Sequence, residues 1–196
     1  MVSWRKAVYA IALLYFILHI ATSTRYGYFR DALYYLACSE HLAFGYVDQP
    51  PLIAVLGWIN RNTIGTSLPA LLLWPALAGA ARIVLTGAFA RELGAGRFGA
   101  ALAAALAATP GVWWVIDHQF AMNAFEPLLW GGLAFTVLKI INTRNTRLWV
   151  VFGLIAGVGL ETKYSVITLP QPCSQVFYSR VNARFYSRRG FLSAAR

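Results

Sequence analysis

The sequence predicts an all-α fold, a polytopic membrane helix bundle with about five spans and two short surface helices in its first extracytoplasmic loop. Three observations predict it. The 196 residues are 59% apolar and 12% charged, with a mean hydropathy of +0.57, which is more apolar surface than one soluble domain of this size buries. Apolar runs of near-spanning length recur along the chain. Basic residues stand at the flanks of those runs and in the last stretch of the chain, so the net charge of +10 reflects membrane topology rather than a nucleic-acid partner.

Arg5 and Lys6 open the chain, followed by the apolar run Ala7 to Ala21. A charged start and a short apolar core would also fit a signal peptide. However, no small-x-small cleavage site precedes Arg25, and Tyr, Phe and His continue through the run, so it reads as a first span with its N-terminus in the cytoplasm. Arg25 to Thr66 then forms a loop on the other side. Within it, Asp31 to Phe44 carries Leu33, Leu36, Ala37 and Phe44 at helical spacing, interrupted by Asp31, Glu40 and His41; it is too polar to span and suits a surface helix. Gly45 and Asp48-Gln49-Pro50-Pro51 end that helix, and Leu52 to Ile59 makes a second one.

Ser67 to Ala90 reads as the second span, with Arg82 its only charge, and Arg91, Glu92 and Arg97 mark the return to the cytoplasm. Phe98 to Ile116 is an Ala-rich third span whose small side chains favour close helix packing, with Asp117 and His118 at its outer end. The fourth runs from Phe120 to Ile141, with Glu126 near its start and Lys139, Arg144 and Arg147 at its inner end. The fifth begins at Leu148 and passes Glu161 and Lys163 to Leu169.

Domain organisation follows from that count: a membrane part, 1–169, and a basic tail, 170–196. Five spans that start inside finish outside, yet the tail carries Arg180, Arg184, Arg188, Arg189 and Arg196 and has no apolar period. A fifth segment that does not cross, a tail that is not the natural continuation of the chain, and a basic segment on anionic lipid are the readings it leaves open, the second being preferred. Cys38 and Cys173 lie in unrelated contexts, without metal-ligand spacing, and indicate neither a zinc site nor a disulfide framework.

Polar chemistry concentrates between Arg25 and Asn60. There the string Gly45-Tyr46-Val47-Asp48-Gln49-Pro50-Pro51-Leu52, following Asp31 at the start of a surface helix, resembles the first external loop of GT-C glycosyltransferases. Specifically, it is similar to the protein O-mannosyltransferase and lipid A aminoarabinose transferase group, including its bacterial lipopolysaccharide-core branch. The resemblance extends through Met122-Asn123-Ala124-Phe125-Glu126-Pro127 and Gly159-Leu160-Glu161-Thr162-Lys163-Tyr164, and covers about residues 5–168. It implies a multi-pass protein of the bacterial cytoplasmic membrane that moves a sugar from a polyprenyl-phosphate carrier to a lipid, glycan or protein acceptor at the extracytoplasmic face.

Such a transfer needs a carboxylate for the acceptor proton and cations, or a metal, for the departing phosphate. By the resemblance, Asp31 is the base or orients the acceptor, Glu126 is a second catalytic carboxylate, and Arg30, Gln49 and Lys163 bind substrate. Asp48 matches a position where some members hold a divalent metal ion. Two departures accompany the match. Ala32 stands where the family commonly has a Glu beside the first Asp, and the chain is shorter than family members, as for a truncated form.

Plain structural roles compete with these. Asp31 at a helix start interacts favourably with exposed amides, Asp48 suits a turn before prolines, and Glu126 suits an interfacial helix start with Pro127 behind it. Lys163 could extend outward with no ligand, while His41 and His118 fit ordinary interface histidines better than metal ligands. Three function classes follow: the transferase, an inert membrane fragment, and a transporter or channel subunit. The last requires polar residues at mid-depth on several spans, and the third span has none.

Overall fold

The computed structural model describes residues 3–165. Its contacts set Met1–Tyr164 apart as one unit and Ser165–Arg196 as another, and the architecture below is that of the first. The basic tail 170–196 and the predicted continuation of the fifth span to Leu169 lie outside the described residues.

Eight α-helices make up this unit: α1 (Trp4–Thr22), α2 (Arg30–Cys38), α3 (Leu52–Thr63), α4 (Leu68–Glu92), α5 (Arg97–Ala108), α6 (Gly111–Asp117), α7 (Glu126–Thr143) and α8 (Leu148–Thr162). Short 3₁₀ turns at Ser23–Arg25 and Met122–Ala124 follow α1 and precede α7. Three segments are long and apolar enough to cross a membrane: Trp4–Arg25, Leu68–Glu92 and Met122–Thr143. These agree with the predicted first, second and fourth spans, and the protein is a multi-pass membrane protein.

The third and fifth segments differ from the continuous spans expected. Phe98–Ile116 is not one rod: α5 and α6 meet at a bend of 63°, a broken span or re-entrant loop. The cause is Pro110, which has no amide hydrogen, cannot continue the ladder and stands in extended geometry at φ −62° and ψ 127°. A break in lipid must satisfy the carbonyls it frees. The Trp114 indole does so, its Nε1 donating to the Ala108 carbonyl at 2.9 Å, while the Thr109 hydroxyl donates to Leu106 O at 3.1 Å. The fifth segment, α8, has 15 helical residues and ends at Thr162, short of spanning length. Among the described residues, then, three helices are long and apolar enough to span, or four segments if the bent pair is one, together with a shorter apolar helix.

The two helices expected between the first and second spans form near their expected places, with earlier or later ends. α2 stops at Cys38 rather than Phe44, and α3 continues to Thr63. Buried Asn60 binds α3 to the start of α4: its Nδ2 donates to Ala70 O at 2.8 Å, and Trp74 Nε1 donates to its Oδ1 at 2.7 Å. Arg61 pairs with Glu40 at 2.8 Å, tying α3 to the turn after α2.

α4 is the hub. Of its most apolar window 44% is buried, against 28% for α1 and 17% for α7, so α4 is the most enclosed of the three. Ser67 in extended geometry and Pro69 in the first turn start it. Gly94, at φ +94°, stops it in the left-handed region, where Ala95 N–H reaches back to Ala90 O at 2.9 Å. Leu13, Leu14 and Ile17 on α1, and Val150, Leu154 and Val158 on α8, remain exposed, as expected of surfaces meant for acyl chains.

At the centre of the bundle is a buried polar cluster that joins α1, α4 and α6. Asp117, 1% exposed, accepts from the Tyr15 hydroxyl at 2.7 Å and pairs with Arg82 Nη2 at 2.8 Å. The Arg82 guanidinium lies over the Trp113 ring, 3.9 Å from its centroid. Asp117 was expected at an outer helix end. It is instead folded inward by the bend at Pro110, and it lies directly against Gly79 of α4, where any Cβ would collide with its carboxylate and with Tyr15.

Helix direction follows from contacts at the two ends of the bundle. Arg5 and Arg91 both lie by the Trp4 ring, and Lys139 pairs with Glu92 at 2.7 Å, so the start of α1 and the ends of α4 and α7 share one end. The α1–α4 loop, the start of α7 and the end of α8 share the other. Gly79→Ala is expected to cost about 1–3 kcal/mol through overpacking, and Asp117→Asn about 3–5 kcal/mol by leaving Arg82 unpaired. Gly153→Ala, with open space around it, should be near neutral. Unfolding of the detergent-solubilised protein measures all three.

Candidate active site

The end of the bundle opposite Trp4 carries Arg30, Asp31, Asp48, Gln49, Glu126 and Lys163. Asp31 lies in the first turn of α2, where the helix N-terminus favours a negative charge, and pairs with Arg30 Nε at 3.2 Å. Asp48 accepts a hydrogen bond from the Tyr34 hydroxyl, also of α2, at 2.8 Å. Gln49 is buried behind that helix, 1% exposed, with its Nε2 3.7 Å from Cys38 Sγ. Its neighbour Tyr46 holds the turn closed by donating from its hydroxyl to Cys38 O and His41 O, at 2.9 and 3.0 Å.

α2 is thus a short platform between two carboxylates. The Tyr35 phenol beneath it registers both: burial first, then the charges of Asp31 and Asp48, push it up to about 12. Tyr34 is also raised, chiefly because its hydroxyl donates to Asp48. Tyr35 and Ala32 belong to an apolar cluster with Ile53, Leu71, Phe120 and Ala121, against which Met122 and Phe125 pack. That cluster links the platform to the start of α7, where Glu126 projects.

Glu126 pairs with Lys163 Nζ at 3.1 Å, and the same nitrogen donates to Asn123 Oδ1 at 3.0 Å. Lys163 does not extend into empty space: α7 and α8 run antiparallel, so the residue just past α8 meets the first residue of α7. Two-residue spacing from Glu161 gave no sign of this partner, which lies 37 positions away. The pair is partly exposed and is worth at most about 1 kcal/mol of stability. Its value is placement, since it sets a carboxylate, an ammonium and an amide together at the bundle end.

Asp31, Asp48 and Glu126 therefore hold different partners around one shared apolar cluster. Among the described residues no group of three or more His, Cys, Asp or Glu side chains is gathered to hold a metal ion, at Asp48 or elsewhere. Sequence reasoning missed the aromatic and histidine stack beside the platform: His19 and Trp114 are stacked with centroids 4.4 Å apart, and His118 lies 4.2 Å from His19. His19 and His118 are 99 positions apart in the sequence and meet only because α6 turns back, so spacing alone carried no signal.

The chain matches the family model of dolichyl-phosphate-mannose-protein mannosyltransferases over residues 48–192. It belongs to that family. The matched stretch takes in Asp48, Gln49, Glu126 and Lys163, leaves Arg30 and Asp31 on its N-terminal side, and reaches into the segment read from sequence as a basic tail. No curated protein and no solved structure matches the chain. Members of the family are membrane glycosyltransferases that draw on polyprenyl-phosphate-linked sugars, and the bundle end described above is the part of this member that presents carboxylates and cations together.

The raised phenol of Tyr35 gives a pH test of the platform. The folded chain keeps a proton that the unfolded chain releases near the ordinary value of 10.0, so the folded state binds more protons above that value and stability falls as pH rises. The contribution is full below about pH 10 and is lost as pH rises through about 12. Tyr35→Phe should flatten the stability profile across that window. A slope equal to that of the unmodified protein would show that Tyr35 does not ionise with the platform.

Proposed function

We propose that this protein is a glycosyltransferase of the bacterial cytoplasmic membrane, N-terminus inside, which moves a sugar from a polyprenyl-phosphate donor to a lipid, glycan or protein acceptor at the extracytoplasmic face. The observation that carries the reading is the Glu126–Lys163–Asn123 cluster, at the same bundle end as Asp31, in a chain of this family. In the transfer, the acceptor hydroxyl gives its proton to a carboxylate as its oxygen bonds to the anomeric carbon. The bond from that carbon to the phosphate oxygen breaks, and the electron pair leaves on the phosphate.

Glu126 and Asp31 are the carboxylates available for the proton. Lys163, paired with Glu126 at 3.1 Å, serves the departing phosphate as a cation. Arg30, beside Asp31, adds a second cation. Gln49 acts from behind α2, holding Asp48 and the platform in register. Asp48 orients Tyr34 by accepting its hydroxyl hydrogen bond.

One observation favours a second reading, a catalytically silent membrane fragment. Ala32, in the position where the family commonly has a carboxylate, is 3% exposed and packed beside Tyr35 and Ile53. A transfer assay in proteoliposomes with a lipid-linked sugar separates the two. Glu126→Gln and Asp31→Asn are each expected to lower transfer about 100-fold or more with membrane insertion unchanged. Turnover indifferent to both substitutions would refute the assignment, and absence of turnover in the unmodified protein would leave the silent fragment standing.

A further inference from the structure

Apolar surface at the platform end of the bundle is of two kinds. One is concave, a cavity of about 790 Å³ beside the platform, between the loop after α1, with Tyr26 and Phe29, and α6 and its exit, with Trp114 and His118. Walls of that kind enclose a small molecule. The other is convex and has no walls. In the loop between α2 and α3, Phe44 and Val47 are fully exposed and Leu42 is half-exposed. No charged residue stands between Leu42 and Val47, and side chains exposed to this degree add nothing to the packing of the chain that carries them.

The loop is built to hold them out. Tyr46 turns inward: its hydroxyl lies 2.9 Å from Cys38 O and 3.0 Å from His41 O, and the Ala43 amide donates to it at 3.3 Å. The Tyr46 amide donates to Gln49 O at 2.9 Å and the His41 amide to Cys38 O at 3.2 Å, while Gln49 and Pro50 bury the base of the loop. Three amides of the tip and its stem thus find acceptors inside the chain, which lowers the cost of moving this backbone out of water.

The surroundings decide what meets the tip. Residues 26–29 join the first span to α2, and residues 64–67 join α3 to the second. Links of that length reach at most about 14 Å, so α2 and α3 stay at the surface from which the spans emerge. Around them Tyr26, Tyr28, Phe29, Leu33 and Tyr34 are exposed, as is Trp58 on α3, which packs against α8. Exposed Trp and Tyr at the ends of membrane helices are the composition of the membrane–water boundary. A protein partner is recognised through polar groups as well as apolar ones, and the run from Leu42 to Val47 offers apolar side chains alone, which is what lipid requires.

We propose that Leu42, Phe44 and Val47 insert into the bilayer at its hydrocarbon–headgroup boundary and moor the platform there. Asp48 follows directly and accepts from Tyr34 of α2, so the insertion sets the height of both above the membrane. This holds whether or not the chain transfers a sugar.

Nitroxide labels test it, placed through Phe44→Cys and Val47→Cys in the full chain carrying Cys38→Ala and Cys173→Ala, in phosphatidylcholine nanodiscs. Depth is read from the ratio of collisions with oxygen and with a nickel chelate. Leu154→Cys, exposed on α8, and Arg147→Cys, between α7 and α8, supply the lipid and water references. Both loop labels are expected about 5–10 Å inside the headgroup boundary, favouring oxygen as the Leu154 position does. Nickel collisions as frequent as at position 147 would overturn the proposal, and so would protection from both agents, which would mean that protein covers the tip. Cys38 lies against Gln49, so a second measurement leaves both cysteines in place: p-benzoylphenylalanine at position 44, irradiated in the same nanodiscs. A mass gain of one phospholipid would uphold insertion, whereas crosslinking to a second copy, or none to lipid, would refute it.

Discussion

The contact on which the architecture depends is the ion pair of Asp117 with Arg82 inside the bundle, completed by the Tyr15 hydroxyl. A carboxylate and a guanidinium removed from water are costly unless each meets the other in good geometry, and Arg82 Nη1 is still left without a hydrogen-bond partner. Here three different helices supply the partners, so the requirement fixes where α6 turns, how near α1 stands to α4, and which face of α4 must be a bare glycine. The cation–π contact of Arg82 with Trp113 occupies the guanidinium face. Once α6 is fixed, Trp114 and His118 have their positions, and the cavity beside the platform has its second wall.

The other end of that chain of dependence is the packing of α2. Ala32 and Tyr35 are buried in the same cluster as Phe120 and Ala121. The surface helix that carries Asp31 is therefore not a floating amphipathic segment; it is seated on the exit from α6 and on the approach to α7. A polar loop of this kind would ordinarily be the least ordered part of a membrane protein. It is instead held by Asn60 and Trp74 at α4, by Arg61 and Glu40, and by Tyr46 across its turn, each an interaction of modest strength that together leave the platform few alternatives.

How much of this was legible in the sequence depended on whether the signal was local. Apolar length and flanking charge located α1, α4 and α7, because a span needs only its own composition. The surface helices were visible from Pro50-Pro51 and the polar interruptions, although Cys38 as the end of α2 was not. The break in the third segment was written in Pro110 and went unread behind an Ala-rich run whose hydropathy suggested a continuous helix. Asp31, Asp48, Glu126 and Lys163 were found through resemblance to a family, and their shared bundle end follows from helix direction. What could not be read were pairings made by the fold alone: Lys163 with Glu126, Asp117 with Arg82 and Tyr15, and His19 with His118. Each joins residues on different helices, and no spacing rule spans such distances.

Trp114 has two obligations. Its indole nitrogen covers the Ala108 carbonyl exposed by the bend, and its ring borders the hollow beside the platform. A smaller residue there would enlarge the hollow and, in the same stroke, strand a naked acceptor at membrane depth. The shape of that border is therefore tied, through one tryptophan, to the backbone it shelters.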